Sequence, residues 1–154
     1  EAQAAMALEH AIANVRTDEV YPYKIVDHHL CESEIIPTER ERDPNVAQYV
    51  LDWEPLFRAI LDDIDQGLKN AVISAKFHNT LVDMIVAMSQ RAGFEKIVLS
   101  GGCFQNRYLL ERTVKNLLKC GFRPYWNQRV PTNDGGLALG QVMGAIRESS
   151  KEKK

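Results

Sequence analysis

One segment of this sequence has the composition of an anion-binding loop. Ser100 to Arg107 reads SGGCFQNR and follows Lys96 to Ser100, a short apolar run typical of a strand. Glycine lets an anion approach the backbone, and the helix predicted after it offers free N–H groups and about half a positive charge. The pattern therefore indicates a site for phosphate or carboxylate. It equally indicates a plain strand-to-helix turn in which Asn106 is only the N-cap.

A second segment, Asn133 to Gly136 (NDGG), follows the next predicted strand, Arg123 to Trp126. Loops at the carboxyl ends of neighbouring parallel strands lie at one edge of a sheet, where open α/β sheets bind ligands. Asp134 offers an uncrowded carboxylate to a metal ion there, although capping of the following helix is the commoner use of such an aspartate. Neither GxxxxGK[ST] nor GxGxxG occurs, so neither a P-loop nor a Rossmann fingerprint applies.

Histidine and cysteine residues add no complete site. His28 and His29 would point to opposite faces of a strand, and no HxxxH or HExxH pair exists. His78, next to an aromatic residue on a predicted core helix, is expected to be a hydrogen-bonded core histidine. Cys103 lacks a partner set for nucleophilic catalysis and is expected to be a small buried thiol. The 3 cysteines have no CxxC spacing and are expected to be reduced.

Composition narrows the class of protein. The chain has 154 residues, of which 45% are hydrophobic and 26% charged, which suits a single soluble domain with its own core. The net charge is -2 and no basic stripe occurs, so nucleic acid is disfavoured as the main partner. No apolar run approaches the roughly 20 residues of a membrane span, so we expect a cytoplasmic protein with no membrane partner. Because the chain opens at Glu1 inside a helical pattern, we also expect a piece of a longer protein.

The elements that position the two loops follow from apolar periodicity. Helices are predicted over residues 2–15, 55–67, 71–91, 106–120 and 134–147, the second with Asp52 as its N-cap. Strands are predicted at residues 23–26, 35–36, 96–100 and 123–126, with an exposed loop at 38–45. Strand, helix, strand, helix in the last third predicts an α/β sandwich with a parallel pair.

Two amphipathic helices carry a predicted inward face. In the helix over 55–67 its members are Leu56, Phe57, Ile60, Leu61 and Ile64. In the last helix they are Leu139, Val142, Met143 and Ile146. The last helix also carries glycine at every fourth position, namely Gly136, Gly140 and Gly144, which predicts close packing against a neighbouring strand or helix.

Four stretches of the chain resemble the hydrogenase maturation carbamoyltransferases, the HypF family. They are EAQAAMALE at Glu1 to Glu9, ISAKFHNTL at Ile73 to Leu81, VLSGGCFQNRYLLE at Val98 to Glu111, and VPTNDGGLALGQ at Val130 to Gln141. They occur in the family's order and span nearly the whole chain, while residues 17–52 carry little family signal. The resemblance implies an α/β fold of the ribonuclease-H-like type found in sugar kinases, heat-shock ATPases and actin, with a mixed sheet flanked by helices. Residues 1–154 would form a single domain, the C-terminal lobe of a two-lobed carbamoyltransferase domain.

The same resemblance implies an activity. The parent protein would use carbamoyl phosphate and ATP to make carbamoyl adenylate, and pass the carbamoyl group to the C-terminal cysteine of a HypE-type partner. That group would become the cyanide ligand of nickel-iron hydrogenases. The isolated lobe is expected to be inactive. A tRNA threonylcarbamoyltransferase-like lobe and a non-catalytic nucleotide-binding or interaction module are the alternatives.

Site residues follow by position from the resemblance. Gly101 and Gly102 match the family's Gly-Gly at the nucleotide phosphates, with Ser100 beside them, and Asn106 matches an asparagine that helps hold the nucleoside. Asp134 matches the aspartate that completes a divalent metal site, zinc or iron, whose histidines belong to the first lobe and lie outside this chain. The sequence departs from the family at Cys103, where an aliphatic residue is common, and at Ala2, where glycine is common.

Overall fold

A computed structural model describes residues 3–12, 15–27 and 49–151 of the chain. The helices are α1 (Gln3–Ile12), α2 (Glu54–Asp65), α3 (Asn70–Ala92), α4 (Arg107–Lys119) and α5 (Leu137–Lys151). The strands are β1 (Lys24–Asp27), β2 (Tyr49–Asp52), β3 (Lys96–Leu99) and β4 (Arg123–Trp126). One-turn 3-10 helices at Gly102–Gln105 and Asp134–Gly136 precede α4 and α5.

Most predicted elements are present. Each of the five helices lies within a few residues of its prediction, and β1, β3 and β4 are where periodicity placed them. The strand β2, which pairs antiparallel with β1, was not predicted, because only its last residue, Asp52, was considered, and as a helix cap. Asp52 does accept a hydrogen bond from the amide of Glu54, at 3.0 Å, at the start of α2. The predicted strand at 35–36 and loop at 38–45 lie outside the described residues.

The centre of the fold is α3, and α1, α2 and α4 all pack against it. Its broad apolar arc predicted burial on more than one side, and Ile73, Val82 and Met84 are buried. With 23 residues and a mean hydropathy of 1.2, α3 meets the length and composition of a membrane span, and in the described part of the chain it is the one helix that does. A core helix has the same properties, and this one is packed between other helices.

A polar cluster ties the segment before β1 to α2 and α3. The Tyr21 hydroxyl donates to Oδ2 of Asp63 at 2.6 Å, and Nζ of Lys76 lies 2.6 Å from the same oxygen. Lys76 also stacks over the Tyr21 ring, 4.5 Å from its centroid. The hydrogen bonds from Lys76 and then Tyr21 hold the pKa of Asp63 below its usual value. Burial and the bond to Asp63 raise the pKa of Tyr21, so its hydroxyl remains a donor.

The last third of the chain forms the predicted parallel pair. β3 and β4 align with Lys96 opposite Arg123 and Leu99 opposite Trp126, and α4 connects them along the chain. Leu99, Leu109 and Leu117 are buried between this pair and the helices.

The predicted mixed sheet is not present as such. The described residues form two separate sheets of two strands, one antiparallel and one parallel. The face of the parallel pair that carries Val98 and Tyr125 is open, with these side chains 74% and 48% exposed.

For the described residues, the predicted inward face of α5 is wrong and that of α2 is confirmed only in part. In α5, Leu139, Val142, Met143 and Ile146 are between 48% and 55% exposed. In α2, Leu56 is buried and Ile60 half-buried, but Phe57, Leu61 and Ile64 are exposed. Periodicity correctly identified the apolar stripes, but it does not say whether another element covers them.

Candidate functional site

The two predicted loops meet at the carboxyl ends of β3 and β4. The amide of Gly101 donates to the carbonyl of Thr132 at 2.9 Å, which joins the glycine loop to the loop before α5. A groove of about 480 Å³ lies here, and Ser100, Gly101 and Asp134 line it. The prediction that the loops lie together is confirmed, and three of the five predicted site residues share one groove.

The two adjacent glycines of the first loop differ in their backbone conformation and in the space around them. Gly101 has φ 104° and ψ 160°, a region that only glycine enters readily. Gly102 has no positive φ, and a Cβ built on it would meet no atom within 4 Å. The backbone therefore requires glycine at 101, whereas the space beside Gly102 is open.

The start of α4 is already occupied by side chains of the chain itself. Oδ1 of Asn106 accepts from the amide of Leu109 at 2.8 Å, so the predicted N-cap is confirmed. Oε1 of Glu9, from α1, accepts from the amides of Arg107 at 2.8 Å and Tyr108 at 3.4 Å. A carboxylate at the positive end of the helix takes the place that an anion would use. The expectation that the first amides of α4 are free for a ligand is therefore wrong.

Asn106 lies in a second hollow, of about 330 Å³, which the later part of the glycine loop helps to line. This hollow is lined by Gly102, Asn106 and His78 together with mostly apolar side chains, among them Met6, Leu8, Phe77, Leu81 and Leu109. The predicted site residues are thus divided between two hollows. His78 is buried and hydrogen-bonded, as predicted. Cys103 is exposed in the one-turn helix, so the expectation of a buried thiol is wrong.

Asp134 is exposed at the mouth of the first groove and does not cap a helix. Asn133 does so instead, because its Oδ1 accepts from the amide of Gly135 at 3.1 Å. Within residues 49–151 and the other described ranges, no hydrogen bond or ion pair engages the Asp134 carboxylate. Its free oxygens fit one ligand position of a divalent ion. The described ranges bring together no group of three His, Cys, Asp or Glu residues that could hold a metal ion.

Gly136 fixes the entry of α5 against the second loop. A Cβ at this position would lie 2.7 Å from the carbonyl oxygen of Pro131 and 3.3 Å from Val130, so the close approach predicted for the glycine series is confirmed here. At Gly140 and Gly144 a Cβ would meet nothing within 4 Å among the described residues, and there the prediction is wrong.

The sequence did not predict one residue of this region, Glu9, and one contact, that between His78 and Asn106. Glu9 contacts the start of α4 from 98 positions earlier in the chain, and the only signal for it was its place in the stretch EAQAAMALE. Nε2 of His78 lies 2.8 Å from Nδ2 of Asn106. Both residues fall inside stretches that carry the family resemblance, but no residue pattern indicated that they contact.

Comparison with known proteins shows the family to which this chain belongs. Residues 1–141 match the family described as carbamoyltransferase, Kae1-like domain, second subdomain. The carbamoyltransferase HypF of Synechocystis sp. is 40% identical over 147 residues, which cover 96% of this chain and 17% of that protein. A carbamoyltransferase HypF homolog of Cupriavidus necator is 29% identical, over 96% of this chain and 35% of its own length.

Solved structures agree with the sequence comparison. A crystal structure of full-length HypF in the phosphate- and nucleotide-bound form superposes with a TM-score of 0.74 at 39% identity, over 92% of this chain and 17% of that one. The crystal structure of T. kodakarensis HypF superposes with a TM-score of 0.63 at 22% identity, over 97% of this chain and 17% of that one, which shows the fold alone. The chain spans about a sixth of the length of these HypF proteins, 17% in each solved case. By the family match and these relatives, the chain belongs to the HypF carbamoyltransferase family, as the second subdomain of its Kae1-like domain.

Proposed function

We propose that this chain forms one wall of the nucleotide cleft in a carbamoyltransferase. The parent protein uses carbamoyl phosphate and ATP, by way of carbamoyl adenylate, and passes the carbamoyl group to the C-terminal cysteine of a HypE-type partner. The product serves cyanide-ligand synthesis in nickel-iron hydrogenase maturation. In this proposal the chain is the C-terminal, ribonuclease-H-like lobe of a two-lobed cytoplasmic domain, and it does not transfer carbamoyl groups alone.

The observation that carries the proposal is the bond between Gly101 and Thr132, which brings the glycine loop and Asp134 to one groove. Grooves at the carboxyl ends of parallel strands are the usual ligand sites of α/β folds. The 39%-identical relative of known structure is described as phosphate- and nucleotide-bound, which supports a nucleotide at the corresponding place.

Each site residue has a proposed part in transfer. Ser100, Gly101 and Gly102 face the nucleotide phosphates, where a side chain at 102 would intrude, and Asn106 holds the nucleoside from the second hollow. The thiolate sulfur of the partner attacks the carbamoyl carbon, the S–C bond forms, and the bond from that carbon to the phosphate oxygen breaks. AMP leaves with the bonding electron pair. The chain's contribution to this step is to place the leaving phosphate in line with the thiolate.

Asp134 is the residue that this chain supplies to a divalent metal site. Its carboxylate fits as one oxygen ligand, and the proposal assigns the remaining ligands to histidines of the first lobe. A bound divalent ion supplies charge neutralisation at the phosphate and carbonyl oxygens. One carboxylate offsets little of the cost of dehydrating the ion, so the lobe by itself would bind metal weakly.

The test is the variant Asp134→Ala in the full-length protein, compared with Asn133→Ala. Because Asn133 makes the cap bond, its loss should cost about 1 kcal/mol of stability with transfer largely retained. Asp134→Ala should leave stability near wild type and lower transfer by a factor of about a thousand, equivalent to about 4 kcal/mol of transition-state stabilisation. Melting temperature and carbamoyl transfer are measured on the same samples. An Asp134→Ala protein that transfers at the wild-type rate would refute the metal assignment.

A further inference from the structure

The tautomer of the buried histidine on α3 can be deduced from its contacts. His78 is 3% exposed, and its Nδ1 lies 2.8 Å from the carbonyl oxygen of Ser74. A carbonyl only accepts hydrogen bonds, so Nδ1 carries the proton. In the neutral ring Nε2 is then unprotonated and can only accept.

That acceptor determines which way the side-chain amide of Asn106 is turned. Nε2 lies 2.8 Å from Nδ2 of Asn106, which therefore donates to it. The other end of the amide, Oδ1, accepts from the backbone of Leu109 at 2.8 Å. The two bonds require the same orientation of the amide, so both ends of the Asn106 side chain are held.

Further contacts hold the histidine ring itself in place. The His78 ring makes edge-to-face contacts with Phe77 and Tyr108. The distances from its centroid to theirs are 5.6 Å and 5.7 Å, and the ring planes are nearly perpendicular. The hydroxyl of Ser74 lies 3.4 Å from Nδ1 and donates to the carbonyl of Leu8 in α1. The ring is thus supported on several sides and cannot turn without losing these contacts.

An amide nitrogen carries two hydrogens, and His78 accepts only one from Nδ2 of Asn106. Both residues line the 330 Å³ hollow, together with Gly102 of the glycine loop. We infer that His78 is a positioning residue that turns the amide of Asn106 so that its second N–H is presented to an acceptor atom of the bound nucleotide. This inference rests on the proposed function, because it needs a nucleotide at Asn106.

The test compares two substitutions of His78 in the full-length protein. In His78→Gln the amide oxygen can reach about the position of Nε2 and accept from Asn106. In His78→Asn the shorter side chain can bond Ser74 but does not reach Asn106. Titration calorimetry with ATP should show at least a tenfold weaker Kd for His78→Asn, equivalent to about 1.4 kcal/mol, and a change within about threefold for His78→Gln. Both should lower the melting temperature, since both leave part of the ring's space empty.

A third variant keeps the test decisive if the histidine variants fold poorly. Asn106→Asp retains the oxygen that caps α4 but lacks the Nδ2 donor. It should weaken ATP binding as much as His78→Asn does, and the double variant should be no weaker than either one. The inference is overturned if His78→Asn and His78→Gln lose affinity equally, or if Asn106→Asp binds ATP like wild type. If the wild-type protein itself binds no ATP, the proposed function fails and the inference fails with it.

Discussion

The neighbouring glycines of the first loop allow a sharp separation of folding from ligand binding. Gly101→Ala places a side chain on a backbone with φ 104°, and Gly102→Ala places the same methyl group on a backbone of ordinary φ with open space around it. The two variants differ by one position and carry the same added group. They are therefore matched controls for each other.

Opposite effects on stability are expected. An L-residue held in a backbone region that is essentially restricted to glycine costs about 1–3 kcal/mol, so Gly101→Ala should lower the free energy of unfolding by that amount. Where the backbone is compatible, replacing glycine by alanine reduces the entropy of the unfolded chain and stabilises by about 0.4–1 kcal/mol. Gly102→Ala should therefore be as stable as wild type or slightly more so.

The affinity of Gly102→Ala for nucleotide should fall even though its stability does not. The methyl group of Gly102→Ala occupies the space through which the phosphates approach, so ATP should bind at least about tenfold more weakly in this stable variant, a loss of about 1.4 kcal/mol. The assay is calorimetric titration of the full-length protein with ATP, next to thermal unfolding of the same samples. A Gly102→Ala protein with wild-type affinity would refute phosphate binding at this loop. A Gly101→Ala protein as stable as wild type would refute the backbone argument.

Two further predictions concern the surroundings of the site. Asp63→Asn should destabilise at neutral pH, because hydrogen bonds from Lys76 and Tyr21 lower the pKa of Asp63 in the folded state. The stability that this carboxylate contributes is present above the ordinary aspartate pKa of about 3.9, and it is lost as the pH falls through the lower folded-state pKa. The urea midpoints of wild type and variant should therefore converge as the pH is lowered. A difference between the two midpoints that grows in acid would contradict this. Gly136→Ala should lower both the melting temperature and carbamoyl transfer, because its Cβ would lie 2.7 Å from a carbonyl oxygen. Gly140→Ala should stabilise α5 by about 1 kcal/mol, because alanine is the better helix former and nothing among the described residues lies within 4 Å of its Cβ. Equal effects of the two alanines on the melting temperature would contradict the close packing at Gly136.

Local pattern was enough to predict most of the helices and strands. The positions of α3 and α4 followed from apolar spacing, β3 from a short apolar run before a Gly-Gly turn, and β4 from its place after the helix that ends at Gly121. The juxtaposition of the two loops followed from the strand order, because parallel strands end at the same edge. For the individual helices and strands, the deciding pattern lies within a few residues along the chain.

Predictions failed where a contact joins distant parts of the chain, or where burial of a surface depends on whether another element covers it. Glu9 reaches the start of α4 from 98 positions away, and no local pattern encodes that contact. Both Asn133 and Asp134 have side chains that can cap a helix, so the choice between them depends on whether the 3-10 helix begins one residue earlier or later. The apolar stripe of α5 was recognised, but its exposure depends on what lies beside it.

Among the described residues, α5 is held mainly at its first end, and this has a consequence for how far its other end can move. Residues 137–150 are all exposed, and the helix is seated on the second loop at Gly136, next to the Pro131 carbonyl. Its 15 residues extend over about 22 Å, so a tilt of about 10° at Gly136 would move the far end by about 4 Å and Asp134 by no more than about 1 Å. The far end of α5 can therefore shift by several ångströms while the groove at Asp134 changes little.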